Sequence, residues 1–88
     1  MEKFYSTTLR CVVKQINKTA ARKRYENGDT VYFQSSKMRF DNLWQNPLGV
    51  QKNDKWYKGH SFDKVCSSYA YYNCDKERGK YIRFFVKC

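Results

Sequence analysis

Apolar positions between residues 7 and 24 fall at Leu9, Val13, Ile16 and Ala20, at spacings of four, three and four. Those spacings place the four side chains on one face of a helix. Arg10, Lys14, Lys18 and Arg22 recur every four residues in the same segment and form a second stripe roughly opposite the first. Ser6 or Thr7 can cap the start. Arg22, Lys23 and Arg24 lie in the last turn, where cations suit the helix dipole. The segment reads as a basic amphipathic helix, while Val12-Val13 and the nearby threonines also suit a strand.

Beyond Tyr25 the period changes. Glu26-Asn27-Gly28-Asp29 is a turn signal, with Asn27-Gly28 able to take positive φ. From Thr30 the chain alternates, with Val31 and Phe33 on one face and Thr30, Tyr32 and Gln34 on the other. The alternation continues through Lys37, Met38, Arg39 and Phe40. Trp44 follows, then the Asn46-Pro47 break and a new strand from Val50. Residues 51–55 read as a polar turn. The run FDKVCSSYAYYN reads as one strand or two, and CDKERG as a charged turn. The closing residues put Ile82, Phe84 and Val86 on one face and Tyr81, Arg83, Phe85 and Lys87 on the other. Short strands separated by turns predict a mainly β body, a small barrel over 25–88 behind a helical 1–24. In that body Gly28-Asp29 turns the chain into the first long strand, and Trp44 packs across the barrel mouth. Pro47 ends an edge strand, where no N–H is needed.

Eighty-eight residues make one domain with a small core. Aromatics at 18% argue against a disordered tail. No apolar run is long enough for a membrane span, and the start lacks the pattern of a secretory signal, so the expectation is a soluble, cytoplasmic protein. Cys11, Cys66, Cys74 and Cys88 include no Cys-x-x-Cys pair, and the single His60 is spaced too widely from Cys66 for a usual zinc pair. Neither a metal, a cofactor nor a disulfide is expected. Cys11 and Cys66 read as buried small hydrophobes, and Cys88 as an exposed thiol. Asp29, Asp41, Asp54 and Asp63 read as turn residues.

Charge sets the functional reading. Eighteen basic and eight acidic side chains leave +10, and self-repulsion at that density points to a polyanionic partner. Six basic residues and no acid lie between Arg10 and Arg24, so no i,i+4 pair inside that stretch neutralises the stripe. Catalysis finds no base paired to a nucleophile and no phosphate-cradling glycine loop, so an enzyme is not expected. Cations and aromatics instead interleave on outward faces: Tyr32, Lys37 and Arg39, then Lys55-Trp56-Tyr57-Lys58, then Tyr81 and Arg83. With Arg10, Lys14, Lys18, Arg22, Lys23 and Arg24 they make a candidate nucleic-acid surface, cations for phosphates and rings for unpaired bases. Unpaired bases are commoner in RNA, which favours RNA over DNA. Most of the rings must pack in the core. A homo-oligomer stays open.

The pattern Tyr25, Gly28, Asp29, Val31, Tyr32, then Trp44, Pro47 and Val50, closed by Gly79, Tyr81, Ile82 and Arg83, resembles small SH3-like barrels. It is most similar to the C-terminal nucleic-acid-binding barrel of retroelement and retroviral integrases. The resemblance covers about half the chain in two blocks; residues 51–78 depart from it, and Asn46 stands where that family usually has glycine. It implies an SH3-like barrel that binds nucleic acid. In size, charge and richness in Lys, Tyr and Asn the chain also resembles, as a type, accessory proteins of T4-like bacteriophages, RNA-binding toxin inhibitors among them. That likeness implies a counter-defence protein in the host cytoplasm, inhibiting a host toxin or nuclease through RNA and direct contact. The alternative is an inhibitor or adaptor that binds an acidic surface of a host protein such as a polymerase, without nucleic acid.

Overall fold

The computed structural model describes residues 3–7, 9–35, 47–73 and 82–88. Lys37, Met38, Arg39, Phe40, Asp41, Trp44, the charged turn at 74–79 with its Cys74, and Tyr81 lie outside the described residues, so the expectations placed on them are not addressed by it. The chain runs β1 (Lys3–Ser6), β2 (Cys11–Ile16), α1 (Lys18–Glu26), β3 (Val31–Ser35), β4 (Leu48–Val50), α2 (Phe62–Asn73) and β5 (Ile82–Lys87). The five strands form one antiparallel sheet in the order β1-β2-β5-β3-β4, with the C-terminal strand in its middle. The sheet is open among the described residues: β1 and β4 are its edges.

The expected helix over 7–24 is correct only from Lys18 onward; residues 11–16 are a strand. The 4-3-4 spacing misled because both faces of this sheet are packed. Val13 and Ile16 point to opposite faces and both are buried, so an alternating strand carries apolar residues at a helix-like spacing. The β-branched pair Val12-Val13 was the truer signal. FDKVCSSYAYYN is neither one strand nor two but α2. Its core residues Phe62, Val65, Cys66 and Tyr69 sit at i, i+3, i+4 and i+7, the spacing of a helix face. Ser61 caps it, its Oγ accepting from the Lys64 N–H at 3.2 Å, and Asp63 lies in the first turn, where an acid suits the dipole.

Helix α1 begins at Asn17, whose Oδ1 accepts from the Ala20 N–H at 2.8 Å. It ends in paired closing bonds, Asp29 N–H to the Arg24 carbonyl at 2.9 Å and Gly28 N–H to the Tyr25 carbonyl at 3.0 Å. Gly28 takes φ +90 there, as its place in the turn signal suggested, whereas Asn27 stays at φ −79. Gly28-Asp29 therefore closes a helix before it leads into β3.

Both helices cover the same sheet face. There Ile16, Val31, Phe33, Val50, Phe84 and Val86 meet Ala21 and Tyr25 of α1 and the apolar face of α2. Phe33 is the hub, with its ring centroid 5.1 Å from Phe84, 5.5 Å from Tyr69 and 5.7 Å from Phe62. The alternation expected in β3 and β5 holds, since Val31, Phe33, Phe84 and Val86 share this face. The second face is not an outer surface as expected. Phe85 is 0% exposed and Tyr32 9%, packed with Val13, Phe4, Leu9 and Cys11. The Tyr32 ring crosses Gly49, and a Cβ there would stand 3.1 Å from that ring, close enough that the ring would have to give by a few tenths of an ångström. Pro47 immediately precedes edge strand β4, where no ladder N–H is needed, and the residues of the strand it was expected to end lie outside those described.

Candidate nucleic-acid interface

Residues 51–60 form a braced loop that displays a tryptophan. Asp54 organises it. Its N–H donates to the Gln51 carbonyl at 3.0 Å, and its own carbonyl accepts from the N–H groups of Tyr57 and Lys58, both at 2.9 Å. The Asp54 carboxylate accepts from the Trp56 N–H at 2.9 Å, a side-chain turn that fixes where the indole leaves the chain. Asp54 is thus a turn residue, as expected.

Three bonds pin the loop to the C-terminal end of α1. Gln51 Nε2 donates to the Gly28 carbonyl at 2.9 Å, Lys52 Nζ to the Glu26 carbonyl, and Tyr25 Oη to the His60 carbonyl at 2.8 Å. Burial, and secondarily Tyr57, holds the Tyr25 phenol above its ordinary value. Burial, and then Asp54, does the same for Tyr57. Tyr25 therefore keeps the proton it donates. On this frame the Trp56 side is 72% exposed, with Lys55 Nζ 5.3 Å from the ring centroid. Lys58, two positions further along the chain, is exposed as well.

The stripe expected at Arg10, Lys14, Lys18 and Arg22 does not exist as one helix face. Arg10 is exposed in the β1–β2 turn at φ +55, and Lys14 is half-buried on β2, directly opposite Lys3 of β1. Lys18 and Arg22 do share α1, but they are not unneutralised. Asp63 of α2 accepts from Arg22 Nη2 at 2.7 Å and stands 3.8 Å from Lys18 Nζ. The hydrogen bond to Arg22 pulls the Asp63 carboxyl below its usual range, and the same bond raises Arg22. Arg24 pairs with Asp29 at 3.4 Å, and Lys23 is exposed. Tyr32 is buried under Lys87, whose Nζ lies 5.9 Å from its ring, so it is not a surface ring. Arg83 is half-buried with its guanidinium 5.6 Å from the Phe85 ring. Lys37, Arg39 and Tyr81 lie outside the described residues.

Two features escaped the sequence reading. Lys52 sat inside a segment read as a polar turn, with nothing to show that it reaches back to α1. Tyr5 is 63% exposed beside Val12, its direct partner across the β1–β2 pair, and no local signal separated it from the buried rings. Of the cysteines, Cys66 is buried as expected, and burial pushes its thiol up to about 11. Cys11 is half-buried and Cys88 exposed.

Among the described residues no three His, Cys, Asp or Glu side chains converge as a metal site. No helix among them is long and apolar enough to cross a membrane. No protein family, curated protein or solved structure matches the chain.

Proposed function

We propose that this protein binds single-stranded nucleic acid, RNA in preference to DNA, and performs no chemistry on it. The observation that carries the reading is Trp56. A large ring is held in solvent by a hydrogen-bonded loop, beside Lys55 and two positions before Lys58, in a chain of net charge +10. An exposed indole stacks on any unpaired base, and the neighbouring cations track the phosphates. The bonds from Gln51, Lys52 and Tyr25 join the loop to the end of α1, where the exposed Lys23 adds a further cation. RNA is favoured because its unpaired bases are the commoner target.

The counter-defence role, inhibition of a host toxin or nuclease through shared RNA and direct contact in the host cytoplasm, belongs to this proposal on the likeness in size, charge and composition. The SH3-like barrel belongs to it on the Tyr25–Tyr32 and Trp44–Val50 motif. A second reading, contact with an acidic protein surface, is supported by β1 and β2. Lys3 and Lys14 stand directly opposite each other beside exposed Tyr5 and Val12, and like charges so placed favour an anionic partner.

The test is titration of labelled single-stranded and duplex RNA with the protein and with Trp56→Ala. The variant should keep its melting temperature and lose about 1–3 kcal/mol of single-strand affinity. Unchanged affinity overturns the proposal. Capture of a host protein that survives ribonuclease treatment, with no RNA affinity, decides for the second reading.

A further inference from the structure

Strand β1 lies at one side of the sheet, and among the described residues no strand pairs with its outer side. One bond fixes its backbone directions. The Cys88 N–H donates to the Val12 carbonyl at 3.0 Å, so Val12 and Lys14 turn their backbone groups toward β5, and Cys11 and Val13 turn theirs toward β1. Ser6 and Phe4, the partners of Cys11 and Val13, take those bonds. Lys3 and Tyr5 therefore point their N–H and C=O groups off the open edge. The edge thus offers two donors and two acceptors in the repeat of a β ladder.

The side chains along that edge carry one sign of charge. Lys3 with Lys14, and Tyr5 with Val12, are direct cross-strand partners of the kind without hydrogen bonds, in which side chains stand closest. All four lie on the face that holds Ile16 and Val86, but the helices leave this corner bare, and Tyr5 and Val12 are exposed. Two lysines held side by side raise the local positive potential, and neither has an acid at ion-pair distance among the described residues. Lysine on an open edge deters pairing with a like-charged strand, and a second copy of this chain, at +10, is like-charged. What the edge admits is a strand of the opposite sign.

We propose that β1 takes an acidic, extended peptide segment of a partner protein as a further antiparallel strand. Its acid stands opposite Lys3, in the row of Lys14. A β-branched or aromatic residue two positions before the acid stands opposite Tyr5, in the row of Val12. Main-chain bonds to Lys3 and Tyr5 supply affinity that any strand can use, and the alternate side chains supply the choice of partner. The proposal deepens the second reading above, contact with an acidic protein, and rests on it; the tryptophan loop takes no part.

The test is amide NMR of the isotopically labelled whole chain, titrated with the blocked peptide Thr-Val-Thr-Glu-Thr. Saturable shifts are expected across 3–6, and the Lys3 and Tyr5 amides should gain protection from solvent exchange. Phe4 and Ser6, already bonded to β2, should gain little. In the paired geometry the valine N–H faces β1 and that of the central threonine faces away. N-methylation of the valine should therefore weaken binding about tenfold or more, and N-methylation of the central threonine should not. Glutamine in place of the peptide's glutamate should weaken binding about threefold to fivefold, and Lys3→Glu should do so by at least as much. Lys3 is exposed, and its exchange sets unlike charges opposite each other, so that variant should fold. If N-methylation of the valine makes no difference while glutamine still weakens binding, an acidic ligand rests on the corner without pairing; the proposal falls and the second reading stands. Equal binding of the glutamine peptide removes the acid's part and overturns both. Absence of saturable shifts at 3–6 overturns the proposal. A short oligouridylate that shifts these amides in the peptide's place assigns the corner to RNA and overturns it too. So does concentration-dependent protection of Lys3 and Tyr5 without peptide, the sign of a second copy.

Discussion

The Arg22 guanidinium donates to the Asp63 carboxylate at 2.7 Å, tying α1 to α2 across 41 residues of sequence. Lys18 approaches the same carboxylate at 3.8 Å, so one acid serves two cations of α1. All three groups are open to solvent, which limits what the pair adds to stability and leaves it able to regulate charge.

Asp63→Asn should therefore change binding more than folding. The pair is open to solvent, so it adds little to stability. Because Arg22 depresses the Asp63 carboxyl, that small contribution is present above the ordinary carboxylate range and is lost as pH falls below it. Freed from Asp63, Lys18 and Arg22 can engage phosphate, and each added contact should steepen the log–log salt dependence for single-stranded RNA by about 0.7. An unchanged slope would show that the RNA does not run along this side of α1.

Phe84 and Phe85 are neighbours on β5 that face opposite ways, and both are core residues. Phe84 packs against Phe33 and Phe62, while Phe85 is 0% exposed on the other face with Phe4 at its edge. Truncating either to alanine should cost about 3–5 kcal/mol, enough to unfold a domain of this size. Simple alternation of an inner and an outer face would spare Phe85→Ala. Thermal melts of the two variants decide the matter: a Phe85→Ala protein that melts near the parent temperature means the second face is not packed.

Gly28→Ala isolates a backbone cost. The residue sits at φ +90, and an added Cβ would meet only Asn53 Nδ2, at an ordinary 3.7 Å. Left-handed backbone costs a side-chain-bearing residue roughly 1–2 kcal/mol. The variant should lose that much in denaturant unfolding without change in m-value, since no contact is broken. A loss beyond about 3 kcal/mol would mean that the closing bonds of α1 had broken as well.

The elements visible in the sequence were those set by local chemistry. The turn at Gly28, the alternation of Val31 with Phe33, and the closing strand follow from backbone preference and the pleat, and all three are present. The start of α1 was hidden because β2 runs into it with only Asn17 between, so strand and helix merged into one apparent period. Helix α2 carried the helical spacing of Phe62, Val65, Cys66 and Tyr69, but its valine, cysteine and tyrosines favour strands, and propensity outweighed periodicity in the reading. The covering of the second face was not legible at all, since Tyr32 and Phe85 look the same in sequence whether or not that face is packed. For the site, Lys55-Trp56-Tyr57-Lys58 announced itself as cations beside rings. That Lys18 and Arg22 both meet Asp63 of α2 depends on tertiary placement, which no local pattern encodes.

Alkaline pH should expose the buried ionisable side chains of the main core. The Cys66 thiol, ordinarily near 9, is pushed up to about 11, chiefly by burial among Phe62, Val65 and Tyr69. The Tyr25 phenol is raised by the same cause. For a group whose folded pKa exceeds its unfolded value, stability is complete below the unfolded value and is lost as pH rises through the folded one. The unfolding free energy should thus be level from neutral pH to about 8.5, then fall between about 9 and 11, Cys66 accounting for up to about 3 kcal/mol. Cys66→Ala should start about 1 kcal/mol less stable at pH 7, from the small cavity, but should lose less on the way up. The two curves should cross near pH 10, with the parent about 1 kcal/mol the less stable by pH 11, in urea titrations at matched ionic strength. Curves that stay parallel would mean that the thiol ionises as readily in the fold as in the open chain, and that α2 does not seal it.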